Sequence, residues 1–514
     1  MLLKCYSAAL LGIQAELVTI EMHAVSGSDF SLVGLPDNTV KESRDRIRAA
    51  MLVNGYKTPV KRLTINMAPA DLKKEGGGYD LPLAAGLLWI AEEIHGTKLT
   101  EYIMAGELSL DGTVQPVRGA LPIALCAKQH GMRGVIVPAA NAREAAVVEG
   151  IEVIAVETLS DVVRFLNGMQ DILPTTLTDS DLEDAARPAE DVDFADIRGQ
   201  QNVRRAMEVA AAGGHNMLMA GPPGAGKSML AKRLPTILPP LTKDEALETT
   251  KIHSVAGLLA AGQSLMTRRP FRSPHHTVTD VALIGGGTNP RPGEISLAHN
   301  GVLFLDEVPE YKRSTLEVLR QPLEDRKITV ARSKLTVEYP ASFMLVAAMN
   351  PCPCGHYGDP LHKCTCTPAQ IQRYKSKISG PLLDRIDIQC EVQAVPYDQL
   401  RSKEQGEPSA VVRERVVSAR RIQEERFRGT GIHCNAQMSP RQVRTFCAVD
   451  AAGDSLIRIA MERFGLSARA YDRILKVART IADLDGANDI RPQHIAEALG
   501  YRILDRDDWA ERSL

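Results

Sequence analysis

HNMLMAGPPGAGKSML, residues 215–230, contains the pattern G-x-x-x-x-G-K-[ST]. In a loop of this kind, consecutive backbone N–H groups point at a polyphosphate, and the following helix offers the positive end of its dipole. The context fits, because residues 216–220 are apolar enough for a short buried strand and the residues from 229 onward favour a helix. The stretch therefore predicts a phosphate-binding loop made of Gly221, Pro222, Pro223, Gly224, Ala225, Gly226, Lys227 and Ser228.

Two residues of this loop have defined roles in nucleotide binding. Lys227 is expected to reach the β- and γ-phosphates, and Ser228 is expected to hold Mg²⁺. A second stretch, GVLFLDE at 301–307, predicts a buried parallel strand whose carboxyl end faces the nucleotide. There Asp306 is placed to hold Mg²⁺, and Glu307 to polarise the attacking water. ATP and Mg²⁺ are therefore the predicted cofactors.

Three further polar residues follow in an informative order. The apolar run FMLVAAMN ends in Asn350, which is placed to orient the attacking water. The stretch PLLDRID contains Arg385, a candidate arginine finger, and GLSARAYDRIL contains Arg469 near a predicted helix start. A guanidinium suits both positions, because its fork stabilises the charge that develops on a transferring phosphoryl group. The predicted catalytic residues are Glu307, Asn350, Arg385 and Arg469.

With these motifs in this order, the chain resembles the AAA+ ATPases of the magnesium-chelatase-like branch. The resemblance implies that Asn350 is sensor 1, Arg385 the arginine finger and Arg469 sensor 2. The stretches FRSPHHTVTDVALIGGGTNPRPGEISLAHNGVLFLDE at 271–307 and NPCPCG at 350–355 further resemble the ComM/YifB competence-protein family. With the N-terminal region described below, this resemblance covers nearly the whole chain.

The composition is that of a large soluble enzyme. A length of 514 residues favours about three domains, and the net charge of −2 means that any basic surface must be local. The apolar stretch LPLAAGLLWIA at 81–91 is too short to span a bilayer, and Gln14 and Glu16 interrupt the signal-like start of the chain. Nine cysteines in a chain of this size fit reduced thiols better than disulfides. We predict a cytoplasmic protein without a membrane partner.

The chain divides into three regions and a linker. The predicted boundaries are an N-terminal domain at 1–172, an acidic linker at 173–193, an ATPase core at 194–397 and a C-terminal helical lid at 398–514. The predicted fold class is α/β, with a parallel sheet in the ATPase core and an α+β N-terminal domain. The linker carries two prolines, a run of acids and few apolar residues, a composition that cannot bury a core.

The N-terminal region resembles the Lon-protease domain of the ribosomal-protein-S5 fold. KKEGGGYDLPLAAGLL and GTVQPVRGALPIALCAKQHGMRGVIVP carry the resemblance. Lon-type proteolysis needs a serine nucleophile and a lysine base. Residues 77–80 read Gly-Gly-Tyr-Asp where the serine would fall, and Leu121 stands at the lysine position. We therefore predict a non-proteolytic binding or assembly module.

The stretch KITVARSKLTVEYP at 327–340 predicts a β-hairpin with a basic tip, and it resembles the pre-sensor-1 hairpin of the family. On one interpretation, Arg332 and Lys334 grip a phosphate backbone in the pore of a ring. The alternative is a solvated hairpin whose charges protect an exposed edge. Nearby, the glycines at 285–287 favour a flexible loop over a second nucleotide site, and His275 and His276 favour polar loop residues over metal ligands.

A cysteine cluster lies between Asn350 and Arg385. Four thiolates within about fifteen residues can close tetrahedrally on Zn²⁺, and the candidate ligands are Cys352, Cys354, Cys364 and Cys366. The C-x-C spacing is tighter than in most zinc sites, so free reduced cysteines remain the alternative. A metal here would stiffen the loop beside the water-orienting residue without taking part in the chemistry.

Three functions compete at this point. The ComM/YifB resemblance implies a hexameric DNA motor that drives branch migration in natural transformation or homologous recombination. Its partner would be single-stranded or branched DNA without sequence preference, and an aromatic content of only 4% favours backbone contacts over base stacking. The alternatives are a magnesium-chelatase-type motor and a protein-remodelling ATPase or protease. The missing serine and lysine argue against the protease, and the DNA motor is favoured.

Overall fold

A computed structural model describes residues 2–178, 192–287, 290–332, 335–359, 362–395 and 406–502. The side chains of Arg332 and Leu335 are not described. Most of the predicted linker, residues 179–191, lies outside the described residues. Among the helices that the structure describes, none is long and apolar enough to cross a membrane.

The N-terminal region is a mixed α/β structure built on one large sheet. Its strands are β1 Leu2–Leu11, β2 Gln14–Val25, β3 Phe30–Val33, β4 Arg62–Ala68, β5 Tyr102–Met104, β6 Glu107–Leu108, β7 Val114–Gln115, β8 Gly134–Pro138 and β9 Glu152–Val156. Its helices are α1 Asn38–Val53, α2 Asp80–Ile90, α3 Ala120–Gln129, α4 Ala139–Ala145 and α5 Leu159–Leu166. The sheet has the order β3-β4-β2-β1-β5-β8-β9, with antiparallel pairing of β1 with β2 and of β2 with β4.

The two stretches compared with a protease site are packed in this structure. The apolar stretch 81–91 forms most of α2, whose residues from 80 to 88 are all buried. Asp80 is buried and accepts hydrogen bonds from Arg46 Nε at 2.8 Å and from the Leu108 N–H at 3.2 Å. Leu121 is fully buried, and its N–H donates to Glu144 at 2.9 Å. These positions therefore hold core-packing and ion-pair residues.

The ATPase region follows with nine strands and nine helices among the described residues. The strands are β10 Met217–Ala220, β11 Phe271–Arg272, β12 Gly285–Gly286, β13 Arg291–Pro292, β14 Val302–Leu305, β15 Lys327–Arg332, β16 Leu335–Pro340, β17 Met344–Met349 and β18 Ile388–Glu391. The helices are α6 Gln201–Gly213, α7 Lys227–Ile237, α8 Lys243–Ala256, α9 Asp280–Ile284, α10 Glu294–Leu297, α11 Arg313–Glu317, α12 Arg320–Asp325, α13 Pro368–Lys375 and α14 Gly380–Leu383. The lid adds α15 Ser409–Arg426, α16 Pro440–Phe446, α17 Ala451–Phe464, α18 Ala468–Leu484 and α19 Pro492–Gly500.

Five strands of this region form one parallel sheet in the order β11-β14-β17-β10-β18. All residues of β10, β14 and β17 are buried, as expected of strands covered on both faces. In a parallel sheet the carboxyl ends of the strands meet at one edge, where ligands bind. The predicted parallel-sheet core is therefore confirmed, and its functional edge follows β10, β14 and β17.

The short elements differ most from the sequence-based expectation. Gly285 and Gly286, predicted as a flexible loop, pair with Pro292 and Arg291 in a two-stranded ribbon. A Cβ on Gly285 would lie 2.3 Å from the Arg291 carbonyl oxygen, so glycine permits this close approach. A ribbon of two residues per strand is too short to show an alternating pattern, and the sequence offers no signal for it.

A buried network joins the sheet to the lid. Asp387 precedes β18, is 4% exposed, and accepts hydrogen bonds from the Asn216 N–H at 3.2 Å and from Arg473 of α18. His215 lies between Asp387, at 3.3 Å, and Thr480 of α18, at 2.8 Å. Burial opposes ionisation of Asp387, but Arg473 and His215 outweigh it and hold its pKa well below the ordinary range.

We expect Asp387→Ala to lower the free energy of unfolding by about 3 kcal/mol, because it leaves the buried His215 and the partly buried Arg473 without their shared carboxylate. Since the pKa of Asp387 is depressed in the folded state, this stabilisation is present above about pH 4 and is lost as the pH falls further. Denaturant unfolding at neutral and acidic pH measures both effects. Asp384→Ala is the control, because Asp384 makes no ion pair among the described residues. Equal stability of the two variants at neutral pH would contradict the assignment.

Candidate nucleotide site

The phosphate loop connects β10 to α7, and its glycines are required by geometry. The Gly221 N–H donates to the Met349 carbonyl at 3.2 Å, and a Cβ on Gly221 would lie 2.1 Å from the Val392 carbonyl oxygen. Gly226 has φ +86°, in the left-handed region that favours glycine, and α7 begins at Lys227 directly after it. The loop is therefore held between β17 and β18 by backbone contacts that a side chain would disrupt.

Lys227 lies at the centre of the loop. It is 8% exposed, and its Nζ donates to the carbonyls of Gly221 at 2.7 Å and Pro222 at 2.9 Å and to Asn350 Oδ1 at 3.0 Å. Burial lowers the pKa of Lys227, while Asp306 and Glu307 oppose that shift. A buried ammonium with three oxygen acceptors is poised for an anionic partner, and the oxygens of a polyphosphate are stronger acceptors than neutral carbonyls.

The predicted magnesium ligands lie together. Ser228 Oγ, in the first turn of α7, donates to Asp306 Oδ2 at 2.5 Å, just beyond the end of β14. A hydroxyl and a carboxylate form the all-oxygen set that Mg²⁺ prefers, usually completed by phosphate oxygens and water. The residues present therefore fit the ion that AAA+ ATPases use. The Glu307 N–H donates to Asp306 Oδ1 at 2.9 Å and holds this carboxylate in place.

Glu307 adopts a backbone conformation unusual for its residue type. Its φ is +50°, in the left-handed region. It lies between the end of β14 and a 3-10 turn at Val308–Glu310. Such a residue costs on the order of 1 kcal/mol and is found most often at functional sites. Its side chain is 55% exposed, so its carboxylate is accessible to water.

His276 is a neighbour of Glu307 that sequence reasoning missed. Its Nδ1 lies 3.9 Å from Glu307 Oε2, and its ring lies 4.0 Å from the ring of His275. The Tyr311 hydroxyl donates to the Pro274 carbonyl at 2.6 Å and holds this loop beside the carboxylate. Both histidines lie in a loop, as predicted, and the position just after the edge strand β11 is the signal in the sequence for the approach of His276 to Glu307.

Among the described residues, neither Arg385 nor Arg469 forms a hydrogen bond or ion pair with the phosphate loop of its own chain. Arg385 pairs with Glu324, and its Nη1 donates to the Pro381 carbonyl at 2.7 Å. The hydrogen bond from Arg385 lowers the pKa of Glu324, and Arg469 and Arg473 contribute to the same shift. We call Arg385, Arg469, Arg473 and Glu324 the finger cluster. Among the described residues, none of the partners of Arg385 belongs to the phosphate loop.

The four cysteines of the predicted metal site come together. Cys352 Sγ lies 3.3 Å from Cys354 Sγ and 3.7 Å from Cys364 Sγ, and the Sγ atoms of Cys354 and Cys364 are 3.5 Å apart. All four sulfurs, including that of Cys366, lie within 4.8 Å of one another. Burial raises the pKa of Cys352, whereas for Cys354 the backbone N–H groups of neighbouring residues outweigh burial and lower the pKa to about 5. The arrangement can hold one metal ion.

The hairpin forms as predicted, with Lys327 opposite Pro340 and Arg332 opposite Leu335. One face is buried through Ile328, Val330, Val337 and Tyr339, and a Cβ on Gly12 of the β1–β2 turn would lie 2.5 Å from Val337. The hairpin therefore packs between the ATPase core and the N-terminal domain. Lys334 lies outside the described residues, and so does the side chain of Arg332, so the DNA contacts stay a prediction.

Comparison with known proteins identifies the family. Residues 193–400 match the family described as "Magnesium chelatase, subunit ChlI", and residues 406–502 match "Magnesium chelatase, subunit ChlI C-terminal". Residues 20–141 match "Subunit ChlI of Mg-chelatase". Part of the chain is also similar to "Lon protease 2" of Bacillus subtilis, with 31% identity over 125 residues, covering 24% of this chain and 22% of that protein. This agrees with the predicted Lon-like fold.

Two relatives cover almost the entire chain. "Competence protein ComM" of Haemophilus influenzae is 46% identical over 505 residues, which cover 98% of this chain and 97% of the relative. "Uncharacterized protein YifB" of Escherichia coli is 44% identical over 503 residues, with coverage of 98% and 97%. Because similarity of this degree extends over both proteins, the chain belongs to the ComM and YifB family of magnesium-chelatase-like AAA+ ATPases.

Proposed function

We propose that the protein is an ATP-driven DNA motor, a hexameric ring that catalyses branch migration during homologous recombination, including natural transformation. The observation that carries the proposal is the separation of the finger cluster from the phosphate loop in a single chain. A complete hydrolysis site then requires a neighbouring copy, as in a ring. The H. influenzae relative is named a competence protein, and this name supports the proposed role in natural transformation.

In this proposal each site residue has a defined task in ATP hydrolysis. Lys227 binds the β- and γ-phosphates, and Mg²⁺ held by Ser228 and Asp306 neutralises charge that develops on them. Glu307 accepts the proton of the attacking water, and Asn350 orients that water from the end of β17. Because Asn350 also accepts a hydrogen bond from Lys227, the water-orienting and phosphate-binding groups move together.

In this proposal the arginines of the finger cluster contact the γ-phosphate of the ATP that is bound to the next subunit. Arg385 is 9% exposed and its Nε has no hydrogen-bond partner among the described residues, so part of its binding capacity is free. The positive charges of Arg469 and Arg473 add to the effect of Arg385 in lowering the pKa of Glu324, although Arg385 alone forms an ion pair with this carboxylate among the described residues. Loss of the γ-phosphate would remove the charge that Arg385 and Arg469 bind, and the subunit interface would then loosen.

The hairpin would transmit this movement to DNA. Its buried face packs on the ATPase core, and the sequence between its two strands contains Lys334. Lysine and arginine at such a tip contact phosphates without reading bases, so binding to single-stranded or branched DNA would be independent of sequence. The alternative, a chelatase-type or protein-remodelling ATPase, is favoured only by the names of the matching families, and it predicts no response to DNA.

We also propose that the four cysteines hold one Zn²⁺. Zinc–sulfur bonds of about 2.3 Å place the sulfurs of a tetrahedral site about 3.8 Å apart. The separations of 3.3, 3.5 and 3.7 Å observed here are close to that value. Backbone N–H groups donate to each sulfur, as the Cys366 N–H does to Cys364 Sγ at 3.4 Å, and such bonds stabilise thiolates.

We expect Glu307→Gln to bind ATP normally but to hydrolyse it roughly 10²- to 10⁴-fold more slowly, since an amide cannot accept the proton of water. Lys227→Ala should instead lose nucleotide binding, because the phosphates lose their buried cation. Fluorescent-nucleotide binding and phosphate release separate the two effects. Glu310→Gln, a change at a nearby exposed acid, should behave like the parent. Parental turnover by Glu307→Gln would refute the assigned base.

Arg385→Ala should bind ATP and lose about 10³-fold or more in turnover. Mixing it with Lys227→Ala protein should partly restore hydrolysis, because intact fingers and intact phosphate loops then meet at some interfaces. A mixture of Lys227→Ala with Glu307→Gln is the control and should stay inactive, since every phosphate-loop site carries a defect. If no mixing ratio of the first pair restores turnover, Arg385 does not act between subunits.

The double variant Arg332→Ala/Lys334→Ala should keep basal ATPase activity and ring assembly. Its DNA binding should weaken on all sequences, and the salt dependence of binding should become flatter, because fewer counterions are released. Branch migration should fall further than binding, since a motor needs its grip in every subunit. Lys327→Ala removes a charge at the base of the same hairpin, where Lys327 pairs with Glu338 at 2.9 Å, and it should have little effect. Unchanged DNA affinity in the double variant would contradict the role of the hairpin.

A further inference from the structure

The cysteine loop, residues 350–359 and 362–367, lies against the phosphate loop. Gly355 has φ +85°, and a Cβ built on it would lie 2.6 Å from Cδ of Pro223. The backbone of the cysteine loop therefore touches the side chain of a phosphate-loop residue directly, with no room for a methyl group. Any displacement of the cysteine loop toward this side moves Pro223, five positions before Ser228 and four before Lys227.

The cysteine loop begins at Asn350, and a cysteine pair lies near each of its two ends. Cys352 and Cys354 follow Asn350 by two and four positions, and Cys352 is fully buried. At the other end, Cys366 is followed at once by Thr367, which caps α13 by accepting the Gln370 N–H at 3.3 Å. The two cysteine pairs thus stand at the beginning and at the end of one loop.

Helix α13 returns to the residue from which the loop departs. Tyr374 on α13 is 6% exposed; burial raises the pKa of its hydroxyl, and the nearby backbone N–H of Asn350 opposes this rise. The neighbouring Lys375 lies over the ring of Tyr357 in the cysteine loop, with Nζ 5.7 Å from the ring centroid. Residues along one path lead from Asn350 through the cysteine loop to α13 and back to Asn350. A metal bound by both cysteine pairs would join the two ends of the loop and so close the path.

Without a metal, no strong bond joins the two cysteine pairs, so the path stays open. Four adjacent thiols contribute only weak hydrogen bonds, whereas four zinc–sulfur bonds fix both loop ends relative to each other. The side chain of Asn350 binds Lys227 at 3.0 Å, so a shift at the loop is passed to the phosphate-binding cation. Displacement of a catalytic group by about 1 Å can cost on the order of 100-fold in rate.

We propose that zinc at the four cysteines is a positioning element of the ATPase, so that metal occupancy sets the rate of ATP hydrolysis through Asn350 and Pro223. The inference rests on the proposed zinc site and on the assigned hydrolysis residues, and it does not depend on DNA. The four cysteines are not among the residues assigned to the nucleotide or to the attacking water. The effect of the metal should therefore appear mainly in kcat, with a smaller change in KM.

The first experiment removes metal ligands that lie far from Asn350 in sequence. The parent should contain about one zinc per chain by elemental analysis, and Cys364→Ser/Cys366→Ser should contain nearly none. Basal kcat without DNA should fall about 10- to 100-fold in this variant, with KM for ATP changing about threefold or less. Cys366→His keeps a three-cysteine, one-histidine ligand set, so it should retain zinc and a kcat within about threefold of the parent.

The second experiment leaves all four ligands in place. Gly355→Ala puts a methyl group against Pro223, whereas Gly358→Ala introduces a methyl group at φ +80° with nothing within 4 Å. Both variants carry the same backbone strain and should retain zinc. Only Gly355→Ala should lose kcat, by about tenfold or more, and the difference between the two isolates the contact with the phosphate loop.

Three results would overturn the inference. They are a parent free of zinc, a zinc-free Cys364→Ser/Cys366→Ser variant with parental kcat, and equal kcat in Gly355→Ala and Gly358→Ala. Thermal unfolding of every variant shows whether a loss of activity comes from loss of fold, and the comparison of Gly355→Ala with Gly358→Ala keeps the test valid if the double variant does not fold. A failure of the DNA-motor proposal would appear separately, as absent stimulation by junction DNA in a zinc-loaded parent with full basal activity.

Discussion

The ammonium group of Lys227 joins the parts of the ATPase that must act together. It donates to the phosphate-loop carbonyls of Gly221 and Pro222 and to Asn350 at the end of the neighbouring strand. A buried cation requires such partners, because an isolated charge in the interior costs far more than a hydrogen bond returns. The loop, the strand β17 and the residues after it are therefore coupled through one nitrogen atom.

The order of the parallel strands makes that coupling possible. β10 lies between β17 and β18, and β14 lies on the far side of β17. The phosphate loop, Asn350 and the acids after β14 consequently share one edge of the sheet. The residues of the finger cluster come from other elements: Glu324 lies on α12, Arg385 follows α14, and Arg469 and Arg473 lie on α18. Under the proposed function, the phosphate loop and the finger cluster would then meet across an interface between two copies of the chain.

The N-terminal domain and the cysteine loop each pack tightly against the ATPase region at one point. Gly12 of the N-terminal domain packs close to Val337 of the hairpin, and Gly355 of the cysteine loop packs against Pro223 of the phosphate loop. Both contacts exclude even a methyl group. In a close-packed interior such contacts transmit displacement, because neither side can be compressed. These contacts therefore couple the N-terminal domain to the hairpin, and the proposed metal site to the phosphate loop.

Local patterns in the sequence were sufficient for the phosphate loop, the strands β10, β14 and β17 and the hairpin, because each is encoded by consecutive residues with a clear period. The meeting of Ser228 with Asp306 followed from the rule that parallel strands end at one edge. Only the tertiary structure brings His276 close to Glu307 and Tyr374 close to the backbone of Asn350. The members of each pair are distant in sequence, and no periodic pattern relates them. Contacts of that kind depend on how the finished elements pack.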